Sequence, residues 1–372
     1  MTESGQGADT LRPPIATIVD SVDDINASWL TDALHQAGCL GGGHVASFTS
    51  ELMSVGQLGS VARLTLTYEG AGSEAPPTLM VKLPSRDAGS RAIGVTLGIY
   101  EGEVRFYREI APTVGIRVPR MRWADIESST GRFSLLLEDL SAVGTPGDMI
   151  AGGTADQAAR ALDALVELQA PHWSDPALRE KNWLAHPSRN QNFFAGVEPA
   201  LPLFLERFGG RLDAADVELV EQVVPYANRW AAQMTAGPTV VLHGDYRMDN
   251  ILFPDDPDAP VAVFDWQATR LGPPLVDVGV YLGGCLSLED RRHHERELLR
   301  RYHDRLMSRG ITGFSSDDMW ESYRWCVFYG LMLSVPFSVQ LERTERGDAL
   351  FAGMVRSYAQ QARDLESMEL LR

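Results

Sequence analysis

The chain has 372 residues, a formal net charge of −17 and 44% apolar residues, an ordinary composition for a folded protein with one large or two medium domains. Such acidity argues against a nucleic-acid surface and against anionic membranes. Three cysteines, Cys39, Cys285 and Cys326, without CxxC or Cys/His ligand spacing, argue against a disulfide framework or structural zinc and point to a reducing, cytoplasmic setting.

The start, MTESGQGADT, has no basic segment followed by an apolar one, so no secretory signal is expected. Its composition predicts disorder over roughly the first fifteen residues. NASWLTDALHQAG then places Trp29, Leu30 and Leu34 on one helical face, with Gly38 as a stop signal. From about residue 44 to 138 the pattern turns strand-like in VARLTLTY, TLMVKLP and RFSLLLEDL, with EGAGSEAPP as a hairpin loop between the first two. One helical stretch, YEGEVRFYREIAP, interrupts them and carries Phe106, Tyr107 and Ile110 on a single face that is expected to meet the sheet.

Inside this region SVGQLGSV, residues 54–61, fits G-x-G-x-x-G-x-V with Ser54 at the first glycine. Small residues there would let backbone N–H groups approach phosphates, although glycine-containing hairpins are common. Lys82 interrupts the apolar run of its strand; most such lysines face solvent, but this one follows the glycine segment across one hairpin. Glu103 sits a turn before Phe106 and Tyr107 and is a candidate partner for Lys82, with Glu101 as its rival.

Beyond residue 150 helices dominate. TADQAARALDALVELQAPHW opens on a capping Thr154 and spaces Ala158, Leu162, Leu165 and Leu168 for one buried face. A second helix, AADVELVEQVVPYANRWAAQM, is disturbed at Pro225, and three or four more are expected after two short strands. CVFYGLMLSVPFSVQL is too short for a membrane span and contains Pro336, so it reads as a buried helix. The organisation is a β-rich lobe over 1–139 and a helical lobe over 140–372, joined through EDLSAVG.

The chemistry concentrates in VVLHGDYRMDNILF, residues 240–253. A carboxylate at Asp245 can orient a hydroxyl and accept its proton, and the amide oxygen of Asn250 can hold a magnesium ion. Asp265 ends the apolar run VAVFDWQ, where it could meet the same ion. Taken singly, Asp245 and Asn250 read equally well as turn caps. The order His-x-Asp, Asn five residues later, then Asp after an apolar strand is the order of a kinase catalytic loop and metal site.

VLHGDYRMDNILF, VFDWQ and GPPLVDVGVYL together resemble the aminoglycoside phosphotransferase-like small-molecule kinases, with choline kinase-like and ecdysteroid kinase-like relatives, over about Ser54 to Leu282. The resemblance implies a bilobal, protein-kinase-like α+β fold and transfer of a phosphoryl group from ATP, or GTP, with Mg2+ to the hydroxyl of a small molecule. It implies Asp245 as catalytic base, Asn250 and Asp265 as metal ligands, and Lys82 with Glu103 as a phosphate clamp. Phosphates would lie at Ser54, Gly56, Gly59 and Ser60, and adenine beside Glu138 and Leu140. His243 and Asp277 would brace the catalytic loop. Three departures stand out: Gly244 replaces the arginine common in protein kinases, Gln267 stands where many relatives carry a second acid, and the interval from Asp265 to Asp277 has no A-P-E segment. The short interval favours a small acceptor over a peptide. A dedicated aminoglycoside or macrolide kinase is the alternative; a nucleotide-binding pseudokinase is a third, but Lys82, Asp245 and Asp265 are all retained. No nucleic acid, membrane or obligate protein partner is expected.

Overall fold

A computed structural model describes residues 16–56, 58–185, 194–340 and 343–371. The amino-terminal stretch expected to be disordered, and Gln57 of the glycine-rich segment, lie outside the described residues. The chain forms two compact units: residues up to Ala92 with Arg120–Asp139, and Ile93–Pro119 with Leu140 onward. This differs from the division read from the sequence at residues 93–119, which pack with the second unit.

The first unit is a five-stranded antiparallel sheet in the order β1-β2-β3-β5-β4, with β1 His44–Gly56, β2 Gly59–Glu69, β3 Thr78–Pro84, β4 Met121–Glu127 and β5 Arg132–Glu138. The three runs recognised in the sequence are β2, β3 and β5. The edge strand β1 is exposed at most positions and so lacks the apolar alternation that would have announced it. In β2 Ala62, Leu64 and Leu66 are buried, and in β3 Leu79, Val81 and Leu83, so one sheet face is apolar. Helix α1, Ala27–Gln36, covers that face with Trp29, Leu30, Ala33 and Leu34. Each large side chain so buried contributes about 1.5–3 kcal/mol. The helix starts where Asn26 Oδ1 accepts the Trp29 N–H at 3.0 Å, and Gly38 follows its end at φ 71°.

Between β3 and β4 lie α2, Ala88–Thr96, and α3, Ile99–Arg105, which runs on into a π-helical turn at Phe106–Ile110. The periodicity predicts only one helix here. In the second unit α4, Ala155–Gln169, begins with a full capping box between Thr154 and Gln157. Helices Ala214–Val223 and Ala227–Ala232 are separated by a 3-10 turn, Val224–Tyr226, because Pro225 cannot continue the hydrogen-bond ladder. Among the described residues five further helices follow, Leu275–Cys285, Leu288–Ser308, Ser316–Cys326, Phe328–Gln340 and Glu345–Asp364, one or two more than the sequence reading anticipates. Phe328–Gln340 is the buried helix containing Pro336, and among the described residues no helix is long and apolar enough to cross a membrane. Short strands β6 Thr145–Pro146, β8 Ile251–Phe253 and β9 Ala262–Val263 make one small sheet, and β7 Val240–Leu242 pairs with β10 Arg270–Gly272.

Candidate active site

Strand β7 is wholly buried and delivers His243 and Gly244 into the polar loop. Gly244 has φ 82°, and a Cβ there would lie 2.4 Å from the Ala268 carbonyl oxygen. Glycine is therefore required by both backbone and space, which accounts for the departure from the arginine of protein kinases. The buried Asp277 carboxylate accepts the backbone N–H of His243 at 2.7 Å and of Gly244 at 3.0 Å. Burial pushes its pKa up, opposed by His243, these two donors and Arg270. His243 Nε2 lies 2.9 Å from the Phe264 carbonyl and Nδ1 3.3 Å from the Asp245 backbone nitrogen. The carbonyl can only accept, so Nε2 donates to it, and these contacts make His243 a strut between the catalytic loop and the end of β9. Tyr329, whose hydroxyl donates to the Gly244 carbonyl at 3.1 Å, adds a second strut.

Asn250 donates its Nδ2 to the Asp245 carbonyl oxygen at 2.9 Å and to Asp245 Oδ2 at 3.1 Å. Its Oδ1 is thereby directed away from Asp245. The β8–β9 ladder pairs Leu252 with Ala262 and Ile251 with Val263, and the Phe264 N–H donates to the Asn250 carbonyl at 3.0 Å. Asp265 thus follows the residue directly opposite Asn250, and the two proposed metal ligands are brought together by strand pairing. Asp265 adopts a left-handed φ of 65°. For a non-glycine residue this costs about 1–2 kcal/mol and needs support from its surroundings. That support is Trp266, fully buried, whose indole N–H donates to the Val263 carbonyl at 3.1 Å and whose ring stacks on Phe106 with centroids 3.8 Å apart. The His243 ring centroid is 4.6 Å from it.

The Phe106 face of the π-helical turn consequently meets the Asp265 turn of the second unit. Glu103, one turn earlier, is 2% exposed, whereas Glu101 is partly exposed and pairs with Arg105 at 3.0 Å. Between the two acids Glu103 is the buried one. The Tyr107 hydroxyl is also buried and has no hydrogen-bond partner among the described residues. Its pKa is raised by burial, with the Glu103 and Asp265 carboxylates adding. All three groups therefore share one electrostatic neighbourhood.

The donor set can be tested against magnesium. Among the described residues no group of three His, Cys, Asp or Glu could hold a metal on its own. An amide oxygen and one carboxylate suit instead a hard cation that takes its remaining ligands from phosphate and water, so the residues present fit magnesium. Gln267 places its amide 3.5 Å from Asp265 Oδ2 and supplies no second acid.

Arg247, which the sequence reading passed over, shares Asp245 Oδ2 with Asn250. Its Nε lies 3.2 Å from Asp245 Oδ2 and its Nη1 3.7 Å from Asp249 Oδ2. The Asp245 carboxylate, then Asp249 and Asp265, hold the guanidinium charged well above its ordinary range. An arginine within a run of acids carries no distinguishing signal in one sequence; only the fold shows which acid it grips.

In the first unit Ser54, Gly56, Gly59 and Ser60 belong to the β1–β2 hairpin, in the register Ser54–Val61, Val55–Ser60 and Gly56–Gly59. A Cβ on Gly59 would lie 2.8 Å from the Leu83 carbonyl oxygen, so close strand packing by itself explains that glycine. Lys82 pairs in register with Val61 and Leu135 and stands half-buried on the sheet face opposite α1. Glu138 ends β5; its backbone N–H donates to the Arg120 carbonyl and its carboxylate accepts the Arg120 N–H, both at 2.9 Å. Leu140, in the second unit, packs with Leu252 and Ala262, and its carbonyl accepts the Val143 N–H at 2.8 Å.

Comparison with solved structures finds the same fold. Choline kinase from Cryptosporidium parvum Iowa II matches with a TM-score of 0.52 and 9% identity over 86% of this chain and 89% of its own. A mutant of aminoglycoside 2'-phosphotransferase-IIIa in its GDP complex matches with a TM-score of 0.50 and 14% identity over 88% and 90%. No curated protein matches the sequence. Residues 92–324 match the phosphotransferase enzyme family (APH), a span that contains the whole catalytic loop and begins after the glycine hairpin and Lys82. On this match and a protein-kinase-like α+β fold, the chain belongs to the phosphotransferase enzyme family.

Proposed function

We propose that the protein transfers the terminal phosphoryl group of ATP, or of GTP, to a hydroxyl of a small molecule. The observation that carries this reading is the hydrogen bond from Asn250 to Asp245, with Asp265 one ladder step away, inside the family match. Asp245 accepts the proton of the acceptor hydroxyl as its oxygen attacks the terminal phosphorus. The bond from that phosphorus to the bridging oxygen breaks, and its electron pair leaves with the nucleoside diphosphate. Asn250 Oδ1 and the Asp265 carboxylate would hold magnesium, which when bound neutralises phosphate charge. The GDP complex of the aminoglycoside phosphotransferase relative supports a nucleotide donor.

By the resemblance, Lys82 serves as a further cation for the nucleotide phosphates. The short interval from Asp265 to Asp277 supports a small acceptor. Three free, buried cysteines suit the reducing, cytoplasmic setting included in the proposal.

The deciding experiment presents labelled ATP and GTP with a panel of hydroxylated metabolites and antibiotics to the wild type and to Asp245→Asn. Loss of a positioned base costs about 10²–10⁴-fold in rate. Equal turnover by the two proteins would remove the mechanism.

A further inference from the structure

Asp245 has two carboxylate oxygens, and the fold treats them differently. Oδ2 receives Arg247 Nε at 3.2 Å and Asn250 Nδ2 at 3.1 Å, while among the described residues no hydrogen bond uses Oδ1. Arg247 is itself held: its backbone N–H donates to the Asp245 carbonyl at 3.0 Å, and its Nη1 faces Asp249, whose Oδ2 accepts the Met149 N–H at 3.3 Å. Only 26% of the Arg247 side chain is exposed. A largely buried guanidinium that donates Nε to one carboxylate and faces a second sets the direction of the first in a way that a mobile surface cation does not, because its planar geometry fixes the angle of the N–H.

We propose that Arg247 is a positioning residue for phosphoryl transfer: with Asn250 it occupies Oδ2 of Asp245, so that Oδ1 is the oxygen presented to the acceptor hydroxyl. This rests on the reading of Asp245 as the base. Without Arg247 the carboxylate turns about its side-chain torsions and either oxygen meets the acceptor in poor alignment.

The test measures hydrolysis of ATP and GTP with magnesium and no added acceptor, water serving as the hydroxyl, for wild type, Asp245→Asn, Arg247→Met and Arg247→Lys. Misplacement of a reacting group by about 1 Å costs on the order of 100-fold. The expected result for Arg247→Met is therefore a kcat about 100-fold lower, with KM for nucleotide within about twofold and an unchanged melting temperature. Arg247→Lys keeps the charge without the fork and is expected to recover little; full recovery would mean that charge alone suffices and would overturn the proposal. Wild-type kcat in Arg247→Met would overturn it too. A crystal structure of Arg247→Met is the second arm: a rotated Asp245 carboxylate supports the inference, and an unmoved one ends it. Should wild type and Asp245→Asn hydrolyse nucleotide equally, the assignment of the base fails, while the crystallographic arm still decides whether Arg247 orients Asp245.

Discussion

Phe106 lies flat on Trp266, the two ring planes 6° from parallel and their centroids 3.8 Å apart. The contact joins the helical turn after Glu103 to the residue after Asp265, so one stack sets the position of a buried acid and of a proposed metal ligand together. Both rings are fully buried, and aromatic ring contacts contribute about 0.5–1.5 kcal/mol beyond the area they cover.

Phe106→Leu keeps most of the apolar volume and loses the stack. It is expected to destabilise the protein by about 1 kcal/mol. Phosphoryl transfer should fall by more than that loss of stability explains, because Asp265 then lacks the support for its left-handed backbone. Paired melting curves and turnover measurements check this. Turnover that merely follows the folded fraction would show the stack to be ordinary core packing.

Gly244→Ala and Gly152→Ala separate two costs that glycine avoids. Both residues have positive φ, 82° and 79°, but a Cβ at Gly152 meets nothing within 4 Å while one at Gly244 lies 2.4 Å from a backbone oxygen. Gly152→Ala is expected to lose only the backbone term, about 1–2 kcal/mol. Gly244→Ala is expected to lose clearly more and to abolish activity, since the loop carrying Asp245 has to shift. Denaturant titrations of the two variants measure the difference, and equal losses would contradict the close packing of Gly244.

Asp364 provides a pH test remote from the proposed chemistry. It accepts hydrogen bonds from Arg292 Nε at 2.8 Å, Arg292 Nη2 at 2.9 Å and Gln360 at 2.7 Å, and it also pairs with the wholly buried Arg291. Burial acts to raise its pKa, but these donors outweigh burial and bring it from 3.8 to about 2. A carboxylate with a depressed folded-state pKa binds protons less readily in the native state than in the unfolded one. Its stabilisation is complete above the unfolded value and disappears as pH falls through the folded one. The stability difference between wild type and Asp364→Asn should therefore be constant near neutrality and shrink between about pH 4 and pH 2. A difference independent of pH across that window would show that the Asp364 charge contributes nothing to the fold.

What could be read directly from the chain were interactions closed within a few residues. The Thr154 cap and the break at Pro225 are local hydrogen-bond events, and residue type with spacing specifies them. Asp245 and Asn250 belong to the same class, because five residues of loop suffice to bring them into contact. The alternation in β2 and β3 marked the core face for the same reason. The edge strand β1 carries no such periodic signal, and the helical spacing of Phe106, Tyr107 and Ile110 does not distinguish a π-helical turn from an α-helix.

The sequence by itself therefore determined the local elements, the likeness to a phosphotransferase and the residue types available for its chemistry. The tertiary structure alone decided that Asp265 arrives one ladder step from Asn250, that residues 93–119 pack with the helical unit, and that Arg247 grips a single oxygen of Asp245. Those outcomes depend on strand register, aromatic stacking and the angle of a guanidinium fork, all set by segments far apart in the chain, and no spacing within one segment encodes them.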